Sequence, residues 1–478
     1  MSKREGEEKR IVDKSERVST IDKEEFFKYN DRDFKVKFMT DREKTIIAIA
    51  TPAGTGAIGI IRISGKNARE GVNRIFSRKL TTPRRMEYGV IEAGEYRDEA
   101  MAVYFEEGKS YTGEESVEIY CHGSYALLNG IVDYAVGNLG FNYAEGGDFT
   151  ARAFMNGKMD LTEAEGVCDI INAVTTAELR GAFSLLTGGL RSKIEDIQKK
   201  IVTARSVIEA PLDYPEEEVE EETTEEVKKR IYEIKKELGE LISTYKSGRL
   251  IRDGVSVALA GKPNAGKSSL MNALLGYDRA IVTAEKGTTR DTLTESYVYR
   301  GVRFNLTDTA GIREAESLPE KMGVERAENA VKQADVTVVV IDAGEDNKDF
   351  FIEEIRKKAC GEVIVAENKT DLYNKEKEFS LGVSALKGTG TEELKEAIFK
   401  ASGVGAVGAV SLNNARQNAA ATESYSAVLR ALDACDEYTL DVVSMELYEA
   451  FTALGRITGI TGSDALAEEI FKNFCVGK

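Results

Sequence analysis

Short apolar and β-branched runs, separated by turn residues, open the ordered part of the chain: TIIAIATP (45–52), GTGAIGIIRISG (54–65), then YGVIEAGEY, AMAVYF and SVEIYCHG. That spacing is the spacing of strands, and it predicts an α+β domain over 44–158. From about 160 the period lengthens. LTEAEGVCDIINAVTTAELRGAFSLL and SKIEDIQKKIVTARSVIEA repeat apolar residues at three and four, which predicts helices. Pro211 and Pro215 are expected to break this run. The charge block PEEEVEEETTEE (215–226) reads as a solvated loop and helix start, and an amphipathic helix follows over 226–247. The first helical part thus covers 159–253. At 254 the pattern changes again: GVSVALAG, RFNLTDTAG, ADVTVVVIDAG and GEVIVAENKTD are buried-strand runs alternating with helical segments. Such alternation predicts a doubly wound, mostly parallel sheet over 254–402. Helical periodicity returns over 412–474, so 403–478 forms a second helical part. The expected architecture is multidomain: an α+β N-terminal domain, and an all-α domain interrupted by an α/β module.

Composition narrows the classes. Of 478 residues, 42% are hydrophobic and 31% charged, enough apolar surface for folded domains. The net charge is −17, which argues against coating nucleic acid through overall charge; an RNA partner needs a local basic patch or a basic second subunit. Cys121, Cys168, Cys360, Cys435 and Cys475 lie far apart with no CxxC pair, which fits a reducing cytoplasm and not a disulfide framework or zinc ribbon. The single histidine, His122, rules out a multi-histidine metal site. No apolar run approaches ~18 residues, so no membrane span is expected. Residues 1–43 mix acids and bases closely and read as a charged tail, neither a secretory signal nor a transit peptide. Met39, just before the first strand-like run, is expected to be the biological start; a mature chain containing Ser2 would end that idea.

Five short motifs carry chemistry. Gly261-Lys262-Pro263-Asn264-Ala265-Gly266-Lys267-Ser268 fits GxxxxGK[ST], directly after the strand VSVALA and before the helix SSLMNALLG. Its backbone amides and the helix N-terminus can wrap a β-phosphate. Lys267 would reach the β/γ oxygens and the Ser268 hydroxyl would ligate Mg²⁺. Asp308-Thr309-Ala310-Gly311 ends the strand RFNLT; Asp308 can hold the magnesium water shell and the Gly311 amide can sense a γ-phosphate. Asn368-Lys369-Thr370-Asp371 follows EVIVAE. The Asp371 carboxylate can accept from N1–H and the 2-amino group of guanine, donors that adenine lacks. Ser384-Ala385 fits the last base-contacting loop. Gly287-Thr288-Thr289-Arg290-Asp291 is expected to be a switch, with Thr289 as a second hydroxyl ligand of Mg²⁺. Together these motifs point to a GTP/GDP-binding P-loop domain.

The residue after Gly311 is Ile312, where a Ras-type GTPase carries a water-positioning glutamine at or near this place. Catalysis must draw on another group, such as Glu320 or a cation beside the phosphates. Asn264 is a candidate ligand for that cation, whose charge would stand in for an arginine finger, an effect worth ~10³–10⁵ in rate.

Over about 44–478 the chain resembles the MnmE (TrmE) family of tRNA-modification GTPases. TPAGTGAIGIIRISG (51–65), DFTARAFMNGKMDLTEAE (148–165) and the terminal FCVGK (474–478) carry the resemblance beyond the nucleotide motifs. It implies an N-terminal tetrahydrofolate-binding domain, and a G domain inserted into a helical domain. It also implies homodimerisation through the N-terminal domains and an FAD-containing partner, MnmG. The joint reaction would place an aminomethyl or carboxymethylaminomethyl group on C5 of wobble uridine in tRNA. By position, Arg62, Glu118, Lys158 and Lys478 match residues contacting a tetrahydrofolate derivative, of the 5-formyl or methylene type. Asn264, Thr283, Glu285 (through its carbonyl) and Thr288 match a potassium site. Glu320 matches the catalytic glutamate and Cys475 the C-terminal cysteine. The nucleotide contacts implied extend to Ser269, Ala284, Lys286 and Gly287.

The chain departs from the family where Gly146-Gly147-Asp148 replaces Pro-Gly-Glu, which is expected to loosen that turn. A competing reading is a GTP-dependent ribosome-assembly switch without folate chemistry. The first 160 residues carry no GXXG loop in a basic KH-like segment to support it. A membrane-remodelling GTPase would need a basic amphipathic helix or an apolar insertion loop, and neither is found.

Overall fold

A computed structural model describes residues 44–212, 219–276, 295–308, 328–345, 348–373, 381–405, 410–460, 471 and 474–477. They form two compact units: residues up to Ala164 together with those from Gly459 onward, and Glu165–Thr458.

The first unit is built on a six-stranded sheet. Its strands are β1 (Ile46–Ile49), β2 (Gly56–Ser64), β3 (Glu87–Ala93), β4 (Tyr96–Phe105), β5 (Ser116–Gly123) and β6 (Asn142–Tyr143), in the order β3-β4-β5-β2-β1-β6. Period-two alternation sends Ile61 and Ile63 of β2, Ile91 of β3 and Ile119 of β5 into one core. Helices α1 (Ala68–Ile75) and α2 (Tyr125–Leu139) cover that face with Val72, Leu128 and Ile131. Ser124 caps α2, its side chain accepting from the Leu127 amide, and Gly140 ends the helix in the left-handed region. A smaller core of Ile46, Ala48, Ala144 and Phe149 seats α3 (Asp148–Met155) on the other face. Buried Arg152 of α3 donates to Glu114 Oε2 at 2.7 Å and to the Lys44 carbonyl at 3.0 Å, so the loop between β4 and β5 is held by a paired charge.

The second unit begins within α4 (Leu161–Asn172) and continues through α5 (Thr176–Leu186), α6 (Gly189–Leu212), α7 (Val219–Ser243) and α8 (Tyr245–Asp253). After the sheet module come α12 (Ala415–Glu437) and α13 (Leu440–Thr458). Ile194, Ile197 and Ile201 of α6, Ile231 and Ile234 of α7, Val428 of α12 and Leu447 and Leu454 of α13 share one apolar core. The two helical stretches therefore fold together although the α/β module separates them in sequence. Two expectations shift slightly. Helix α6 runs through Pro211 to Leu212, and the single helix expected over 226–247 is two, parted at Thr244. The Thr244 hydroxyl donates to the Leu241 carbonyl at 2.6 Å, competing with the helical ladder.

A second tie is ionic. Arg416 grips Glu165 bidentately, at 3.0 and 2.9 Å, and Gln417 Nε2 donates to the same carboxylate at 2.7 Å. Removing one partner of a buried pair strands the other. Glu165→Ala is expected to lower the stability of the helical core by about 3–5 kcal/mol in urea titrations monitored on that unit. A loss below about 1 kcal/mol would mean that the pair is solvated.

The inserted module carries β7 (Val255–Ala260), β8 (Glu295–Tyr299), β9 (Val302–Asp308), β10 (Val336–Asp342) and β11 (Glu362–Asn368), in the order β11-β10-β7-β9-β8. Helices α9 (Lys267–Leu275), α10 (Asp349–Lys358) and α11 (Thr391–Ser402) flank the sheet. Val257, Val338 and Ala366 pack with α9 and α11 on one face; Ala258, Val339 and Ile341 pack with α10 on the other. This is the doubly wound arrangement predicted, with all pairings parallel except β8–β9. Strand β8 carries little signal in the sequence because it is a short antiparallel edge, ESYVY, whose apolar run is only Tyr297–Tyr299. No described helix is long and apolar enough to cross a membrane.

Candidate functional site

The loop after β7 turns on two left-handed residues, Asn264 at φ 65° and Gly266 at φ 88°, and delivers the chain to the N-terminus of α9 at Lys267. Four parallel strands end at this edge, so loop amides and a helix N-terminus converge where an anion is favoured. Lys267 is 7% exposed and its ammonium donates to the carbonyls of Gly261 and Lys262 at 2.8 and 3.0 Å. Ser268 and Ser269 stand exposed in the first turn of α9.

Asn368 joins this loop to the other half of the site. At the end of β11 and 1% exposed, its Nδ2 donates to the Ala265 carbonyl at 2.9 Å while its Oδ1 accepts from the Ala385 amide at 3.1 Å. A Cβ on Gly266 would lie 2.2 Å from Asn368 Nδ2, so glycine is required there by close approach as well as by φ. Lys369, at φ 64°, donates from Nζ to the Asn264 carbonyl and to Asp342 Oδ2, both at 2.7 Å. The Thr370 hydroxyl donates to the Val383 carbonyl at 3.0 Å, fastening the segment that carries Ser384. Asp371 Oδ1 accepts from the Ser384 hydroxyl at 2.7 Å. That hydrogen bond is the main cause holding the Asp371 carboxyl below the usual carboxylate range, so at neutral pH it is an ionised acceptor.

Asp342 went unnoticed in the sequence, although a carboxylate closing the run TVVVID was the available signal. Burial alone would raise its pKa. The hydrogen bonds from Lys369 and the Gly344 amide, and the charges of Lys369 and Lys348, outweigh that and hold it low.

Asp308 is the last residue of β9 and pairs in register with Leu259 of β7, two residues before the loop that begins at Gly261; its side chain lies outside the described residues. Thr283, Ala284, Glu285, Lys286, Gly287, Thr288 and Thr289, together with Thr309, Ala310, Gly311 and Glu320, also lie outside them.

In the first unit, Arg62 on β2 stands opposite Glu118 on β5 in the antiparallel register. Its Nε donates to Glu118 Oε1 at 3.0 Å and its NH2 lies 2.8 Å from the same oxygen. Glu118 Oε2 accepts from the Tyr120 hydroxyl at 2.8 Å, and Tyr120 is pushed up to about 12, by burial first and by this bond second. The Arg62 guanidinium sits 5.3 Å from the Tyr111 ring centroid and 5.8 Å from that of Phe149. It also donates to the Gly477 carbonyl at 3.2 Å, so the C-terminal peptide closes on this pair. Tyr111, Phe149, Tyr120 and Gly477 were not singled out in the sequence, because their approach to Arg62 leaves no periodic signal. Lys158 donates to the Gly108 carbonyl at 3.0 Å from an exposed position, and Lys478 lies outside the described residues. Cys475 is half-buried, with its carbonyl facing the Gly147 amide at 3.4 Å.

Of Gly146-Gly147-Asp148, Gly147 is shared with the Pro-Gly-Glu pattern while Gly146 and Asp148 depart from it, and both glycines lie against the C-terminal segment. A Cβ on either residue would fall 2.3 Å from a backbone oxygen, of Phe474 and Phe471 respectively, so the pair admits the C-terminal segment. The turn is not left loose: Asp148 Oδ2 accepts from the Glu145 amide at 2.7 Å.

Comparison with known proteins covers nearly the whole chain. Residues 45–158 match the family profile described as GTP-binding protein TrmE N-terminus, and residues 161–475 the one described as MnmE helical domain. A tRNA modification GTPase MnmE of Acetivibrio thermocellus is 39% identical over 461 residues, 91% of this chain and 100% of that protein. One of Aquifex aeolicus is 40% identical over 448 residues, 91% of this chain and 99% of its own. Among solved structures, the G domain of the T. maritima FeoB iron transporter is 29% identical, covering 31% of this chain and 98% of that one, with a TM-score of 0.25.

Proposed function

The chain belongs to the MnmE family of tRNA modification GTPases, and from that premise we propose that Gly261–Ser268, Asp308, Asn368–Asp371 and Ser384–Ala385 form its guanine-nucleotide site. The observation that carries this is the double engagement of Asn368 with the Ala265 carbonyl and the Ala385 amide. One buried side chain locks the phosphate loop to the base-contacting loop, and Asp371 presents an ionised acceptor beyond it.

Mg²⁺ would be held by Ser268 and Thr289, with Asp308 behind its water shell; the exposure of Ser268 at the helix N-terminus suits that role. A potassium ion would be held by Asn264, Thr283, the Glu285 carbonyl and Thr288. Asn264 fits: its carbonyl is taken by Lys369, and its side chain stands exposed on the loop. Such a cation supplies positive charge beside the phosphates, and Glu320 is the residue proposed to direct water. Turnover in potassium buffer is expected to exceed that in sodium buffer by at least about tenfold, since a charge in the arginine-finger position contributes ~10³–10⁵. Equal rates in a steady-state phosphate-release assay would overturn the cation assignment.

The Arg62–Glu118 pair is proposed to hold a tetrahydrofolate derivative with Lys158 and Lys478. The fit rests on donor chemistry. Glu118 Oε2 keeps acceptor capacity beside the Tyr120 bond for a pterin edge, and the arginine is oriented by two rings and the Gly477 carbonyl. Folate retained on equilibrium dialysis is expected to fall at least about tenfold in Glu118→Ala, as a charged hydrogen bond of ~1.5–3 kcal/mol is lost. Undiminished retention would remove Glu118 from the site.

On this reading the chain acts in the cytoplasm as a homodimer with an FAD-containing partner, on C5 of wobble uridine in tRNA, using a folate one-carbon unit. Cys475 is a candidate reactive thiol in that chemistry. Mass spectrometry of wobble-uridine nucleosides from cells lacking the chain tests the whole: unmodified uridine is expected, and an unchanged nucleoside profile would refute it.

A further inference from the structure

Directly beside the base-recognition motif lies a buried ion pair. Lys348 Nζ donates to Glu367 Oε1 at 2.9 Å, with the two side chains 8% and 4% exposed. Both sit at hinges of the site. Glu367 immediately precedes Asn368, and its backbone docks the neighbouring loop: its amide donates to the Leu381 carbonyl at 2.9 Å, and its carbonyl accepts from the Val383 amide at 2.7 Å. The next residue, Ser384, donates to Asp371. Lys348 caps the start of α10, accepting from the Ile352 amide at 3.2 Å. It closes the connection from Asp342, the carboxylate that holds Lys369.

We propose that the buried Lys348–Glu367 pair is a positioning pair for guanine selection, fixing the end of β11 between α10 and the Ser384 loop so that Asp371 and Lys369 meet the base in register. Positioning accounts for the pair better than simple cohesion, on two grounds. First, a buried pair gains little over apolar residues of the same size, so cohesion alone does not account for its place here. Second, its bonds converge on one strand end: a shift of Glu367 moves Asn368 through the backbone and Ser384 through the Val383 bond, and both hold base-contacting groups. An apolar side chain at 367 would fill the space without a directional bond to the α10 cap.

The inference rests on Asp371 reading the guanine base, so the experiment separates the two. Affinities of the full-length chain for GDP and for inosine diphosphate, which lacks the 2-amino group, are measured by titration. Wild-type chain that does not distinguish GDP from inosine or adenosine diphosphate would refute the base assignment itself. Given that discrimination, Glu367→Gln is expected to cut the GDP-to-inosine-diphosphate affinity ratio at least fivefold. Turnover at saturating GTP is expected to stay within about twofold. The paired Lys348→Met/Glu367→Leu variant leaves no charge stranded and keeps the volume; it is expected to fold with the ratio reduced as far. If Glu367→Gln does not fold, this double variant decides alone, and if that also unfolds, Glu367→Asp is judged by the same ratio. A ratio within twofold of wild type in the folded variant, with only its melting temperature changed, would make the pair a structural contact and overturn the proposal.

Discussion

Asp371→Asn is expected to lower GTP affinity by ~10²–10⁴ and to create binding of xanthosine triphosphate within about tenfold of the original GTP affinity. Guanine presents two donors, N1–H and the 2-amino group, to one ionised carboxylate. Hydrogen bonds to a charged group are worth ~1.5–3 kcal/mol each, and ~1.4 kcal/mol is a factor of ten. The asparagine offers one acceptor and one donor, which matches the N1–H and 2-oxo edge of xanthine and opposes the amino group of guanine. The substitution is nearly isosteric, and the Ser384 hydroxyl that holds Asp371 Oδ1 at 2.7 Å can still donate to the amide oxygen. The change therefore tests recognition and not folding. Competition titration of both nucleotides checks it. Retained preference for GTP would place guanine selection elsewhere and remove the central assignment.

Gly266→Ala is expected to weaken guanine nucleotide binding at least about 100-fold while the chain remains folded. Two costs meet at this residue. A left-handed conformation costs a side-chain-bearing residue ~1–2 kcal/mol. The added methyl would also stand 2.2 Å from Asn368 Nδ2, and Asn368 cannot yield, since it is 1% exposed and bonded at both ends of its amide. Either the phosphate loop moves or the tie between the loops breaks, and each outcome separates the phosphate subsite from the base subsite. Residues sharing a contact are coupled, so the losses in Gly266→Ala and Asn368→Ala should not add in the double variant. Additive losses would show that the methyl acts through the loop backbone alone. Circular dichroism and the melting temperature of the nucleotide-free chain control for folding.

Much of this is legible in the sequence. The phosphate loop, Asp308 and the Asn368–Asp371 motif are contiguous runs at strand ends, so residue type and spacing report them directly. The parallel strands VSVALA, VTVVVID and EVIVAEN are continuously apolar because both faces are covered, and that also reads locally. Strand β8 and the break at Thr244 were missed for the converse reason: a short edge strand has one weak face, and a helix break by a single hydroxyl leaves the period intact.

Guanine-nucleotide motifs on a doubly wound sheet, set between helical stretches, can be read from the chain because each depends on residues adjacent in sequence. Which distant groups complete them follows from the packing of the folded elements. Asp342 came to Lys369, Lys348 to Glu367, Glu165 to Arg416 across the inserted module, and the Gly477 carbonyl to Arg62. A pair of this kind is chosen by where the packed elements end, and an isolated charge or carbonyl carries no period that would announce its partner.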